Sequence, residues 1–183
     1  NDVTDQGIIK MFCMSCAEDK INAIDDLHIV PIAVSYEWEP CDVLKTLELY
    51  ESQFSKYTKK PGEDLNSILT GIVQEKGRVH FELCEPLSYA ELSKFDGLTN
   101  NDYHKQVARL IDRRIHAAYR LYPNNYIAYD LRYGTTKYKH CYTVAEKEAF
   151  LKRLQTLEQY DTCDIDKLKD IFLGIYSNPV NNK

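Results

Sequence analysis

The two thiols of Cys13-Met14-Ser15-Cys16 stand at the spacing of a redox dithiol, or of half a zinc site. A zinc site needs a second ligand pair. Cys141 and Cys163 do not form one, and the side chains of His140 and Cys141 diverge if they lie on a strand. Thiols three residues apart on a helix also serve as small apolar side chains, and that is the reading adopted for Cys13 and Cys16. The five histidines offer a general base, which needs a carboxylate to orient it. None has an Asp five positions on: His28, His80, His104, His116 and His140 are followed there by Ala33, Glu85, Arg109, Leu121 and Ala145. There is no Gly-x-Ser-x-Gly and no glycine-rich phosphate loop, so hydrolase and nucleotide-binding chemistry fall away.

Charge and aromatic patterning leave two further candidates. Lys105, Arg109, Arg113, His116 and Arg120 recur at helical steps, opposite Val107, Leu110, Ile111, Ala118 and Leu121. Such a basic stripe suits anionic lipid headgroups, at ~1 kcal/mol per cation near the surface, or an acidic carrier protein. The plainer alternative is a solvated helix face balanced by Asp102 and Asp112. Tyr119, Tyr122, Tyr126, Tyr129, Tyr133, Tyr138 and Tyr142 either line a lipid or peptide groove or form a packing surface against a core.

The elements that must position these groups follow from periodicity. Ile8, Ile9, Phe12 and Cys16 give a first helix ending before Asp25-Asp26. His28-Ile29-Val30-Pro31-Ile32-Ala33-Val34-Ser35-Tyr36 is apolar on both faces, as in a buried parallel strand, although Pro31 lacks a ladder donor. Val43, Leu44, Leu47, Tyr50, Phe54 and Tyr57 mark a helix after Pro40. Asp64 is expected to cap the next one, whose stripe is Leu65, Ile68, Leu69, Ile72 and Val73. Residues 78–84 alternate as a second strand. Strand, helices and strand without a tight hairpin imply a crossover and parallel pairing. Beyond it, residues 102–122 read as helix, and residues 126–142 as a hairpin or a helix followed by a loop. Thr143 and Glu146 form a capping box, and a last helix is expected from about Asp164 to Gly174, with Asn178-Pro179 ending the order. The expected class is therefore α/β: a partial parallel sheet flanked by helices over 1–98, and a mainly helical extension over 99–183.

With 183 residues, 44% of them hydrophobic and 28% charged, the chain has enough apolar content for a packed core, which excludes a disordered polypeptide. A formal charge of −5 argues against nucleic acid as a partner. The apolar run over 29–36 is far short of the roughly 20 residues that cross a bilayer. Six dispersed cysteines without a signal-peptide pattern suggest free thiols in a reducing cytoplasm. The chain opens on Asn1-Asp2-Val3-Thr4 without an initiator Met, and the expectation is a longer parent.

The run from His28 to Glu37 resembles the Val-Pro-Val/Ile-x-Ile/Val strand of the glycerol-3-phosphate and 1-acylglycerol-3-phosphate (lysophosphatidate) acyltransferases. The likeness extends through Glu39-Pro40-Cys41-Asp42, Lys60-Pro61-Gly62-Glu63-Asp64-Leu65-Asn66-Ser67 and Gly71-Ile72. Gly77-Arg78-Val79-His80-Phe81 then leads to Glu85-Pro86-Leu87-Ser88, similar to that fold's close of strand, acidic-Pro-Leu and helix. Pro123-Asn124-Asn125-Tyr126-Ile127-Ala128-Tyr129-Asp130-Leu131 looks like the tail of long Bacteroidetes-type variants.

The resemblance implies a peripheral, membrane-associated bacterial transferase of phospholipid biosynthesis. In that family a His-x4-Asp pair removes the acceptor hydroxyl proton as it attacks an acyl thioester. A Glu-Gly and Arg block holds the acceptor phosphate. Both precede the Val-Pro-Ile strand in the family and neither is present here, so this chain alone is expected to be inactive and no catalytic residue carries over. Asn1, Asp2 and Thr4 would border the acceptor-phosphate site, while Val30, Pro31 and Ile32 would support the pocket floor. Independently of the family, Lys105, Arg109, Arg113 and Arg120 are the expected contacts to membrane or carrier. No bound cofactor or metal is expected; acyl-CoA or acyl carrier protein would be the thioester co-substrate, and a lysophospholipid or glycerol phosphate the acceptor. The expected location is cytoplasmic, peripheral on the inner face of the membrane. The alternative is a non-catalytic α/β interaction module whose basic helix docks a membrane or partner.

Overall fold

The computed structural model describes residues 3–14 and 19–183. In chain order the elements are α1 (Gln6–Cys13), α2 (Lys20–Asp25), β1 (Ile32–Tyr36), α3 (Asp42–Glu51), α4 (Glu63–Val73), β2 (Val79–Leu83), α5 (Tyr89–Leu92), α6 (Asn100–Ala118), α7 (Pro123–Tyr133), α8 (Val144–Gln155) and α9 (Ile165–Asn181). The protein is mostly helical, at 61%, with a small two-stranded sheet.

That sheet is antiparallel, which corrects the expected parallel pairing. The Cys84 N–H donates to the Pro31 carbonyl and the Glu37 N–H to the Arg78 carbonyl, each at 2.9 Å, so residue numbers rise along one strand as they fall along the other. The long excursion through α3 and α4 permits either sense, and nothing in its length forces a crossover. Pro31 stands just before β1, at the end of the ladder, where its carbonyl accepts from the Cys84 N–H and its absent N–H forgoes only the reciprocal bond. Nor is the strand buried on both faces: Ala33 and Ser35 are buried, while Ile32 and Val34 are exposed.

The chain forms two compact units, neither of them one continuous stretch. The first combines Asn1–Val34 with His80–Tyr119. Its core gathers Ile9 of α1, Ile21 and Ile24 of α2, Leu87, Leu92 of α5, and Tyr103, Val107, Leu110 and Ile111 of α6. The α6 periodicity read from sequence supplies its inner face, and Thr99 caps it by accepting from the Asp102 N–H. The helix ends at Ala118, not near Tyr122 as expected.

The second unit combines Ser35–Val79 with Arg120–Lys183. Its core is aromatic: Trp38 stacks on Phe150 at 6.0 Å, and Phe150, Phe172 and Tyr176 meet pairwise within 6 Å. Ile127, Ala128, Leu154, Leu157 and Leu168 complete it. Of the two readings of 126–142, the helix followed by a loop is the one observed. Pro123 occupies its first turn and Gly134, at φ 62°, ends it in the left-handed region. The Thr143–Glu146 capping box opens α8 as expected. Helix α9 runs through Pro179 to Asn181 rather than stopping before it. A proline there removes the N–H that would donate to the Ile175 carbonyl, so the last turn is held by one bond fewer. Helix α4 begins at Glu63 after Gly62, which takes φ 81°; Asp64 lies in its first turn and is not its cap.

Candidate functional site

Of the residues expected to form a site, Asn1 and Asp2 lie outside the described residues, as does Cys16 of the Cys-x-x-Cys. The first unit holds most of the others. Thr4 is fastened to α6: its N–H and its Oγ1 both donate to Asp112 Oδ1, at 2.8 and 2.7 Å. Asp112 lies on the turn that also carries Arg109 and Arg113, so the segment before α1 is tied to the edge of the basic stripe. Arg109 and Arg113 are exposed, and Lys105 is half-buried, 3.8 Å from Asp102. Arg120 lies beyond the helix and belongs to the second unit, where its N–H donates to the buried Ser35 hydroxyl at 2.9 Å. The stripe on α6 therefore runs only from Lys105 to His116.

Val30, Pro31 and Ile32 divide between two faces. Pro31 is buried, whereas Val30 is 41% and Ile32 44% exposed. The antiparallel register sets Ile32 opposite Leu83 and Val34 opposite Phe81, and both partners are more than 60% exposed. A branched and aromatic face thus lies open on this two-stranded sheet. At the end of β2, Glu85-Pro86-Leu87 leads into α5, where Ser88 and Glu91 form a capping box. Ser88 and then Arg114, whose Nη2 lies 2.7 and 2.8 Å from the two carboxylate oxygens, hold the Glu91 carboxyl below the usual range.

The first unit also has a cleft of about 640 Å³ whose lining includes Lys10, Cys13, Asp19, Lys20, Asp96 and His104. Burial first, then the neighbouring Lys10 and Lys20 charges, lowers the His104 pKa. Burial pushes the Cys13 thiol up, so it is not an activated thiolate. Among the described residues, no carboxylate is bonded to His104 to orient it as a base.

Sequence reasoning missed the most organised polar cluster, which lies in the second unit. Asp42, buried at the start of α3, accepts from Arg153 Nε and Nη2 at 3.1 and 2.6 Å, from the Tyr176 hydroxyl at 2.8 Å and from the Val43 N–H at 2.7 Å. The Tyr176 hydroxyl in turn accepts from the Glu39 N–H at 3.0 Å. Burial, followed by the Asp42 charge, drives the Tyr176 pKa upward, and the bond to Asp42 raises that of Arg153. Four donors use the lone pairs of the Asp42 carboxylate, so it cannot take a substrate proton without dismantling the cluster. It joins α3, α8 and α9. Residues 42, 153 and 176 have no common local signature.

Of the seven tyrosines, Tyr126, Tyr129, Tyr133 and Tyr138 form a cluster of rings, while Tyr122 is buried. Tyr129 contacts Tyr133 at 4.6 Å and Tyr138 at 5.0 Å, and Lys137 Nζ sits 4.8 Å from the Tyr138 ring centre. Beneath them, buried Asp130 accepts from Thr135 Oγ1, the Tyr138 N–H and the Tyr142 hydroxyl, which fixes the loop after α7.

Among the described residues, no group of three or more His, Cys, Asp or Glu is placed to hold a metal ion, and no helix is long and apolar enough to cross a membrane. No protein-family model, curated protein or solved structure matches this chain.

Proposed function

We propose that this chain is the C-terminal part of a phospholipid-biosynthesis acyltransferase, an enzyme that moves a fatty acyl group from a carrier-protein or coenzyme A thioester to a glycerol-phosphate-type acceptor. The observation that carries the reading is the open face of the sheet in the first unit. Val30, Ile32, Val34, Phe81 and Leu83 are the side chains of a sheet made to be covered, and two strands alone are marginal in water. The passage from β2 through Glu85-Pro86-Leu87 to a capped helix adds support, because it is the local order the resemblance leads one to expect.

On this reading the His-x4-Asp base and the phosphate-binding block come from chain outside these 183 residues, and these residues supply part of the sheet and its flanking helices. Thr4, tied to α6, would border the acceptor site, and the run from Val30 to Ile32 that leads into β1 would support its floor. Thioester donor and acceptor are both substrates; the proposed setting is the cytoplasmic face of the membrane.

The test is the coding region upstream of Asn1, with the intact mass of the natural product. A longer polypeptide with His-x4-Asp ahead of the Val-Pro-Ile strand is expected. A natural product without that motif would sink the enzyme reading and leave an interaction module, which the exposed Arg109 and Arg113 would favour.

A further inference from the structure

Residues 56–76, which hold α4, are fixed at their ends and barely between them. Just before them the Phe54 ring meets Tyr50 at 5.0 Å, and at their close the Lys76 carbonyl accepts from the Trp38 N–H at 3.0 Å. Among the described residues, only two other hydrogen bonds or ion pairs leave the segment: the Cys41 thiol donates to the Ser67 carbonyl at 3.5 Å, and Lys60 Nζ stands 3.9 Å from Glu51. A thiol is a weak donor, and an ion pair between two exposed side chains adds little. The segment's other bonds are internal, such as those of Glu63 with the Tyr57 hydroxyl and of Asp64 with Lys59.

Burial does not make up the difference. No residue of 56–76 is buried, none joins the core of the second unit, and Leu65, Ile68, Leu69, Ile72 and Val73 are 52–79% exposed. The side of α4 that packs is Ser67, Thr70 and Gly71, which remove little apolar area from water. Nor does α4 fill the space beside α3. Clefts of about 340 and 300 Å³ remain there, both reaching Leu44; the first includes Leu47 and Asn66, the second Thr70, Gln74 and Arg153. Helices α7 and α9 of the same unit are the contrast, with Ile127, Ala128, Leu168 and Phe172 buried.

We propose that residues 56–76 form a strap that opens as one body while the rest of the second unit stays folded. It swings on the Phe54–Tyr50 ring contact and the Trp38–Lys76 bond. Opening breaks the Cys41–Ser67 contact and releases α4 to coil, because an isolated helix of 11 residues is marginal in water. The two clefts then join in one trough along α3, floored by Leu44 and Leu47 with the Arg153 guanidinium at one end. The strap gates that trough whether or not the chain takes part in acyl transfer.

The experiment is native-state hydrogen exchange of the 183-residue chain in low urea. After correction for intrinsic rates, amides of residues 66–74 are expected to exchange at least about a hundredfold faster than those of α9, through an opening that barely responds to urea because the strap is already largely exposed. In a second measurement, Gly71→Cys is oxidised. A Cβ at position 71 would stand 3.7 Å from the Cys41 sulfur, near enough for a disulfide after a small shift. The link, mapped by peptide mass, should slow exchange over 66–74 about tenfold or more relative to the reduced variant and leave α9 unchanged. Protection over 66–74 equal to that of α9 would overturn the proposal, as would a formed link that leaves 66–74 exchanging at the reduced variant's rate. Failure of the link to form under oxidation would contradict the closed position of α4 and overturn the proposal as well.

Discussion

Asp42 and Tyr176, 134 positions apart in sequence, meet at 2.8 Å in the interior of the second unit, with Arg153 bidentate on the same carboxylate. Breaking such a cluster from one side leaves the other partners buried without a match. Arg153→Met should cost about 2–4 kcal/mol, near the lower end of the range for broken buried pairs because the arginine is partly open to water. Tyr176→Phe, which removes one hydroxyl, should cost about 1–2 kcal/mol. Urea denaturation measures both; an unchanged midpoint for Arg153→Met would mean the cluster does not hold α3, α8 and α9 together.

The tie between Thr4 and Asp112 is local, and its loss should be local as well. Asp112→Ala should lower global stability by about 1 kcal/mol or less while exposing the segment before α1 to limited proteolysis. Equal cleavage rates in wild type and variant would contradict the tie.

Acid should weaken the protein in two stages of the same sign. His104 has its pKa lowered by burial and nearby lysines, so the unfolded chain binds its proton more readily and stability falls as the pH drops below about 6.5. Glu37, held by Arg78, and Glu91, held by Ser88 and Arg114, also have lowered pKa values; their contribution is present above the ordinary glutamate pKa and is lost as the pH falls through their folded values. Melting temperature against pH should therefore slope downward from neutrality. His104→Asn should flatten the upper limb alone, and a wild-type curve that rises between pH 7 and 5 would contradict the assignment.

Because the face around Phe81 and Leu83 is open, Phe81→Ser with Leu83→Ser should shift the stability of this chain by no more than about 1 kcal/mol. The same pair should reduce binding of a hydrophobic dye. A loss of several kcal/mol would mean that the face is packed within the chain itself.

Local chemistry was legible where one residue type has one use. The Thr143–Glu146 box opens α8, and the last helix starts beside Asp164, as the sequence leads one to expect; the Thr99 cap of α6, three residues before the expected start at Asp102, was not read. The sense of strand pairing was not legible, because β1 and β2 carry the same alternation whichever way they run, and only the bonds from Glu37 to Arg78 and from Cys84 to Pro31 decide it. Periodicity showed that α4 has an apolar face but not that the side with Ser67, Thr70 and Gly71 is the one that packs, with the Cys41 thiol 3.5 Å from the Ser67 carbonyl. The Asp42 cluster escaped notice because its members come from three separate helices.

The central claim is tested most directly by an acyl-transfer assay on the complete natural polypeptide, with a long-chain acyl thioester as donor and lysophosphatidate as acceptor. The account predicts thiol release matched by formation of the diacyl product, and loss of both when the His of the upstream His-x4-Asp is changed to Ala. A complete polypeptide that yields no product with either carrier-protein or coenzyme A thioesters, on lysophosphatidate or glycerol phosphate, would contradict it.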